Sequence, residues 1–202
     1  MNETVNETAK DSAKGTVNDT AHPWYTAADE PELAEFGPVR GLGVTGQGAP
    51  DGDEYGVCVQ ALYVVAGALP VPHAAPLEGR WWVEDPRPPL DVPRAQWRWH
   101  LFLRLPDDLD PALADRARET ARPSGAAVDR VQLVTFTEGR CVQMTHHGAY
   151  ADEPASLARM DAYMTELGLV RAGLHHEIYL SDVRESDPAK MRTILRHPVR
   201  PA

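Results

Sequence analysis

The sequence predicts an α+β fold: duplicated strand-helix-strand-strand units forming a mostly antiparallel sheet, with helices on one face and a cleft between the halves. Three observations carry this reading. Thr45-Gly46-Gln47-Gly48 stands in the first half where Thr145-His146-His147-Gly148 stands in the second, each ahead of a turn and a helical stretch. Trp81-Trp82-Val83-Glu84-Asp85 matches Ile178-Tyr179-Leu180-Ser181-Asp182, and Phe102-Leu103-Arg104-Leu105-Pro106 matches Ile194-Leu195-Arg196-His197-Pro198. Matches kept in one order along the chain mark an internal repeat.

Each element follows from local pattern. Residues 1–35 are polar and acidic and predict a disordered or weakly ordered tail, in which Pro23-Trp24-Tyr25 is an aromatic island able to dock on the body. One domain, 36–202, follows, with a first half at about 36–106, a linking helix at 107–121 and a second half at about 128–202. The first strand is expected at 39–45, before the turn Ala49-Pro50-Asp51-Gly52. Val59, Leu62, Tyr63, Ala66 and Leu69 recur at helical spacing, and Pro70 and Pro72 stop that helix. Strands follow at 77–83 and, after a proline-rich connection, at 97–105. Asp110 as cap and Pro111 at the first position open the linking helix. In the second half, 130–136 and 140–146 read as a hairpin turning at Thr137-Glu138-Gly139. Leu157, Met160, Met164 and Leu167 line one face of a helix over 153–167, with Gly168 near its end. A strand at 175–181 and a final segment at 191–199 complete the chain.

Bulk properties exclude several functions. The chain has 202 residues, 43% hydrophobic and 25% charged, an ordinary globular composition. Its formal net charge of -10 does not suit a phosphate backbone, so no direct nucleic-acid contact is expected, and neutral or cationic partners are favoured. Cys58 and Cys141 make no disulfide framework and point to a reducing, cytoplasmic setting. No apolar run is long enough to span a bilayer, and no apolar signal region opens the sequence.

The stretch that promises chemistry is His175-His176-Glu177-Ile178-Tyr179-Leu180-Ser181-Asp182. On a strand, Glu177 and Tyr179 share one face while Ile178 and Leu180 share the other. A carboxylate beside a phenol reads as the floor of a ligand site, on the sheet face away from the helices. Four of the five tryptophans, Trp81, Trp82, Trp97 and Trp99, cluster in the first half. Any one of them can be core, but aromatic walls also bind flat ligands, and cationic ones through the ring quadrupole. The repeat alignment sets Trp82 opposite Tyr179 and Arg80 opposite Glu177, which favours Trp82 for the wall, with Trp81 and Trp99 beside it. Glu177 reads either as a partner of Arg80 or as an acid in the cleft. Tyr150 and Tyr55, each near a helix start, can rim the groove, and His146 can touch a ligand or bond within the sheet. The histidine pairs His146-His147 and His175-His176 give poor metal spacing, because neighbours on a strand face opposite ways, so no metal and no cofactor is expected. The glycine run Gly41 to Gly48 lacks the ending of a phosphate loop, and no serine nucleophile elbow is present.

Pro76-Leu77-Glu78-Gly79-Arg80-Trp81-Trp82, the Trp97-x-Trp99 strand, Cys141-Val142-Gln143-Met144-x-His146-x-Gly148-x-Tyr150, the His175 to Asp182 stretch and the closing Met191-Arg192-Thr193-Ile194-Leu195-Arg196-x-Pro198-Val199 together resemble the GyrI-like small-molecule-binding family, over about residues 36–200. The resemblance implies a duplicated fold with a cleft that binds flat, often cationic, drug-like compounds around a glutamate and aromatic walls. Carried over, the glutamate is Glu177, and Trp82 and Tyr179 are walls. Family members also occur as ligand sensors joined to DNA-binding domains, and this chain resembles the stand-alone type. The closing motifs look like those of the cyclopropanoid cyclopropyl hydrolases, stand-alone members that open a cyclopropane in DNA-alkylating natural products. On that likeness Glu177 is the expected base, and Tyr179, Tyr150 or His146 the expected proton donor. The alternative it leaves is a drug-binding sensor or sequestering protein without turnover.

Overall fold

A computed structural model describes residues 22–70, 75–182 and 184–202. Within them the chain runs β1 (Glu32–Gln47), α1 (Asp53–Gly67), β2 (Glu78–Trp82), β3 (Arg98–Arg104), α2 (Ala112–Ala121), β4 (Gln132–His147), α3 (Glu153–Glu166), β5 (Leu169–Arg171), β6 (His175–Tyr179) and β7 (Arg192–Pro201). The expected α+β, antiparallel architecture is the one observed. The strand order is β4-β1-β3-β2-β6-β7-β5, and β4 also pairs with β7. The sheet therefore closes on itself into a ring, with β5 extending β7.

Register makes the duplication explicit. In the first half Thr45 pairs with His100, and His100 with Arg80. In the second half Thr145 pairs with Ile194, and Ile194 with Ile178. If Thr45 corresponds to Thr145, then Arg80 corresponds to Ile178, Trp81 to Tyr179 and Gly79 to Glu177. Trp82 and Arg80 are thus one residue out as counterparts of Tyr179 and Glu177. A slip of one residue on a strand exchanges faces.

Two further expectations give way. The predicted hairpin at 130–146 is one long strand, because Gly139, at φ 66, bends β4 without reversing it. Before the bend β4 pairs with β1, and from Cys141 onward it also pairs with β7. The tail drawn to residue 35 is corrected in its last part. Residues 22–35 are built into the fold and β1 starts at Glu32, while the rest of the predicted tail lies outside the described residues.

Alternation sorts side chains into two compartments. Outside the ring, α1 and α2 pack Leu62, Val65 and Ala117 onto Trp99, Leu101 and Leu103. A separate cluster joins Met160 and Met164 of α3 to Val142, Met144 and Leu195. Inside the ring, Phe102, Ile178, Ile194 and Val39 meet Trp24 and Tyr25, so the aromatic island plugs the barrel. The interior is also charged. His176, fully buried, lies 2.9 Å from Glu78 and 3.1 Å from Glu138. Burial alone would lower its pKa, but the two carboxylates outweigh burial and raise it. The Trp24 indole donates to Glu78 at 3.1 Å, and Arg196, stacked over Phe36 at 3.7 Å, donates to the Trp24 carbonyl.

Trp24→Ala should remove this plug, leave Glu78 short of a donor and lower stability by about 3–5 kcal/mol, measured by urea unfolding.

Candidate functional site

The outer face of β6 carries His175, Glu177 and Tyr179, and it faces the helices. The sequence placed this groove on the face away from the helices. The structure corrects that, because Tyr179 belongs to the same cluster as α1, whereas Ile178 belongs to the interior. The site lies between the two outer cores, where α1 and α3 flank β6.

Glu177 sits at its centre, with a side chain 14% exposed. Its Oε2 accepts the Tyr179 hydroxyl at 2.7 Å, and its Oε1 lies 3.0 Å from Nε2 of His175. Behind it, Nδ1 of His175 meets Nε2 of His197 at 2.8 Å. Burial holds His197 well below the usual histidine range, so it stays neutral at physiological pH. Arg80 is not the partner of Glu177. It points into the ring, where it stacks on Phe136 at 3.6 Å and bonds His100.

One aromatic wall comes from the first half. The Trp81 indole donates to the Tyr179 oxygen at 3.3 Å, and its ring stacks on Tyr55 at 5.9 Å with an interplanar angle of 13°. Gly79 makes this possible. A Cβ there would stand 2.8 Å from Nε1 of Trp81 and 2.9 Å from the Tyr179 hydroxyl. Trp99 lies beneath this wall, fully buried and edge-on to Tyr55 at 5.4 Å, so it supports the wall from below. Trp82 is half-buried on the Arg80 side of β2 and takes no part, a consequence of the one-residue misalignment.

The other wall comes from the second half. Tyr150 stands at the rim, 42% exposed, edge-on to Tyr179 at 5.7 Å. His146 is buried and fully engaged, with Nδ1 on Ser156 at 2.9 Å and Nε2 on the Ala149 carbonyl at 3.1 Å. It ties the end of β4 to the start of α3, and both its ring nitrogens are spent there. His147 reaches outward to Asp29.

Sequence reasoning missed Glu153. It is the first residue of α3 and 7% exposed, and its Oε1 is buried without a hydrogen-bond partner. Donor atoms of Glu153, His175 and Glu177 lie within 4.8 Å of one another. Such a trio has the chemistry to accept a divalent ion. Here, though, both Glu177 oxygens already have partners in Tyr179 and His175. Burial first, then the Glu177 charge, raises the Glu153 pKa to about 9. A helix N-terminus favours a charged carboxylate, and in this case desolvation outweighs that. The same order of causes pushes Tyr179 well above the usual phenol range. The site thus sets Glu177, with both oxygens engaged, beside Glu153, whose pKa is raised. The signal for Glu153 in the sequence is positional: it opens the helix of the second half, α3, where Asp53 opens that of the first, α1.

Comparisons with known proteins agree with this architecture. A model of the GyrI-like small molecule binding domain matches residues 107–200. A conserved Listeria innocua protein of known structure is 35% identical, covering 90% of this chain and 98% of its own, with a TM-score of 0.81. A Listeria innocua hydrolase is 36% identical over 88% of this chain and 95% of its own, with a TM-score of 0.76. The chain belongs to the GyrI-like family. More distantly, the C-terminal domain of EcmrR shares the fold, at 12% identity over 86% of this chain and 98% of its own, with a TM-score of 0.60. No curated protein matches. Among the described residues, no helix of this GyrI-like protein is long and apolar enough to cross a membrane.

Two measurements test the geometry. Gly79→Ala should push Trp81 off Tyr179, costing about 1–3 kcal/mol in denaturant unfolding and changing the tryptophan emission. Glu153 keeps its proton to about pH 9 when folded but ionises near pH 4.3 in an unfolded chain. Between those values the folded state binds more protons, so stability falls as pH rises through the window. Glu153→Gln abolishes that slope. Its melting temperature relative to wild type should therefore climb steadily from pH 5 to pH 9.

Proposed function

We propose that this GyrI-like protein binds flat aromatic, including cationic, xenobiotics in the recess around Glu177, and that it hydrolyses the cyclopropane ring of DNA-alkylating natural products, a protective role. The observation that carries the reading is the Glu177 carboxylate, held by Tyr179 at 2.7 Å and His175 at 3.0 Å at the foot of the stacked Tyr55–Trp81 wall. The Listeria relatives described as hydrolases, at 34% and 36% identity, support a hydrolytic rather than a purely binding role.

The chemistry follows from the groups present. In a spiro-cyclopropyl dienone, water attacks the free ring methylene and the dienone becomes a phenol. Stacking on Trp81 and Tyr55 holds the planar guest and brings the ring to Glu177. Glu177 takes the proton of the attacking water as general base. Tyr179 and His175 fix the direction of the carboxylate, so it need not reorganise during the reaction.

The test is turnover. Purified protein is incubated with an excess of a duocarmycin-type compound, and ring opening is followed by mass spectrometry. More than one hydrated product per protein is expected. A stoichiometric complex without product would identify a binding or sequestering protein instead. Glu177→Gln should slow ring opening about 10²–10⁴-fold while ligand quenching of tryptophan fluorescence persists. Turnover at the wild-type rate in that variant would remove Glu177 from the role of base.

A further inference from the structure

Ring opening delivers an electron pair to the ketone oxygen of the guest, and that oxygen needs a proton. The tyrosine and histidine donors that the sequence suggests are poorly placed to give one. The Tyr179 proton is already committed to Glu177. His146 spends both ring nitrogens on Ser156 and Ala149. Tyr150 is a rim phenol whose pKa is raised, by burial and then by the Glu177 charge, which makes it a weaker acid than a free tyrosine. Glu153 is different. It is buried, its Oε1 has no partner, and it shares a space of 4.8 Å with His175 and Glu177. An ionised carboxylate left there without a donor would carry a heavy desolvation cost, whereas a neutral acid would not. A neutral acid with its proton on Oε1 has no hydrogen-bond partner for it there.

We infer that Glu153 is the general acid of the site, donating its proton to the guest oxygen that becomes a phenol as Glu177 takes a proton from water. The inference rests on the hydrolytic reading above. The step balances. The water oxygen bonds to the ring methylene as the carbon–carbon bond breaks. That electron pair moves into the dienone, and the oxygen at its far end receives the Glu153 proton. Glu177 leaves the step protonated and Glu153 ionised. One proton passing from Glu177 to Glu153, directly or through His175 or water, restores the starting state without any outside reagent.

The pair thus divides acid and base between carboxyls set in different surroundings, the arrangement that lets two like groups take opposite roles. The titratable groups beside Glu153 are Glu177 and His175 on β6 and Tyr150 in the preceding turn, while Tyr179 and Tyr55 lie on the Glu177 side of the site. The phenols of Tyr55, Tyr150 and Tyr179 all ionise above the usual range, so they do not account for a loss of rate near pH 9.

The experiment compares wild type and Glu153→Gln on duocarmycin-type compounds whose ring-opened phenols differ in acidity. In the variant, kcat/KM should fall about 10²–10⁴-fold, with guest binding by tryptophan quenching held within a few-fold. The deficit should shrink as the product phenol becomes more acidic, because a better-stabilised phenolate needs less help. A deficit independent of phenol acidity, or none at all, overturns the acid role while leaving the hydrolytic reading intact. Absence of turnover in wild type overturns both. The wild-type pH profile stands independently of the variant and serves if Glu153→Gln does not fold. It should lose kcat/KM above about pH 9, and a flat profile to pH 10.5 overturns the assignment.

Discussion

The structure depends on the register of β6 between β2 and β7. This short strand turns His176 and Ile178 into the barrel and His175, Glu177 and Tyr179 out toward the helices. The buried contacts of His176 with Glu78 and Glu138 pin that choice. A slip of one residue would put Glu177 into the interior beside two other carboxylates and expel His176, taking from those carboxylates the imidazole that lies between them. A buried ion cluster of this kind adds little net stability against an apolar core of the same shape. Its value is that it makes the wrong register very costly. Each bond inside the ring therefore fixes the aim of a side chain outside it.

The duplication is used asymmetrically. By strand register, Gly79 corresponds to Glu177, Trp81 to Tyr179 and Glu78 to His176. In the outer layer one half gives up a side chain and the other supplies an acid, and the space left at Gly79 is where Trp81 and Tyr179 meet. In the inner layer the equivalent positions carry opposite charges and pair across the pseudo-twofold. Had both halves kept a glutamate at the outer position, two carboxylates would oppose each other on neighbouring strands and close the recess. Had both kept glycine, the recess would hold no charge.

Much of this was legible in the sequence. The repeat, the helices and the shared face of Glu177 and Tyr179 follow from period and alternation. The choice of Trp82 over Trp81 failed because sequence matching set the repeat one residue out, and only hydrogen-bond register fixes that offset. The hairpin failed because a glycine with turn residues around it looks the same whether it reverses a strand or bends it. The plug was legible only in part: the sequence offers Pro23-Trp24-Tyr25 as an island able to dock, but not where it docks. Trp24 lies in a polar stretch, and nothing local says that an indole there will donate to Glu78, 54 residues on. Glu153 was hidden because a glutamate in the first turn of a helix is ordinary, and only burial sets it apart.

Charge is separated across the sheet. Arg80 and Arg196 lie inside the ring against Phe136 and Phe36, and their favourable electrostatic partners are Glu78 and Glu138. The sheet stands between these guanidiniums and Glu177. On the outer side, among the described residues, Glu177 bonds Tyr179 and His175 and no arginine or lysine. A fixed arginine there would hold both carboxyls ionised and leave the recess without a proton to give. Enclosing the cations in the barrel leaves burial and the Glu177 charge free to raise the Glu153 pKa. It also leaves an aromatic-walled negative charge for a flat guest with cationic or developing positive character.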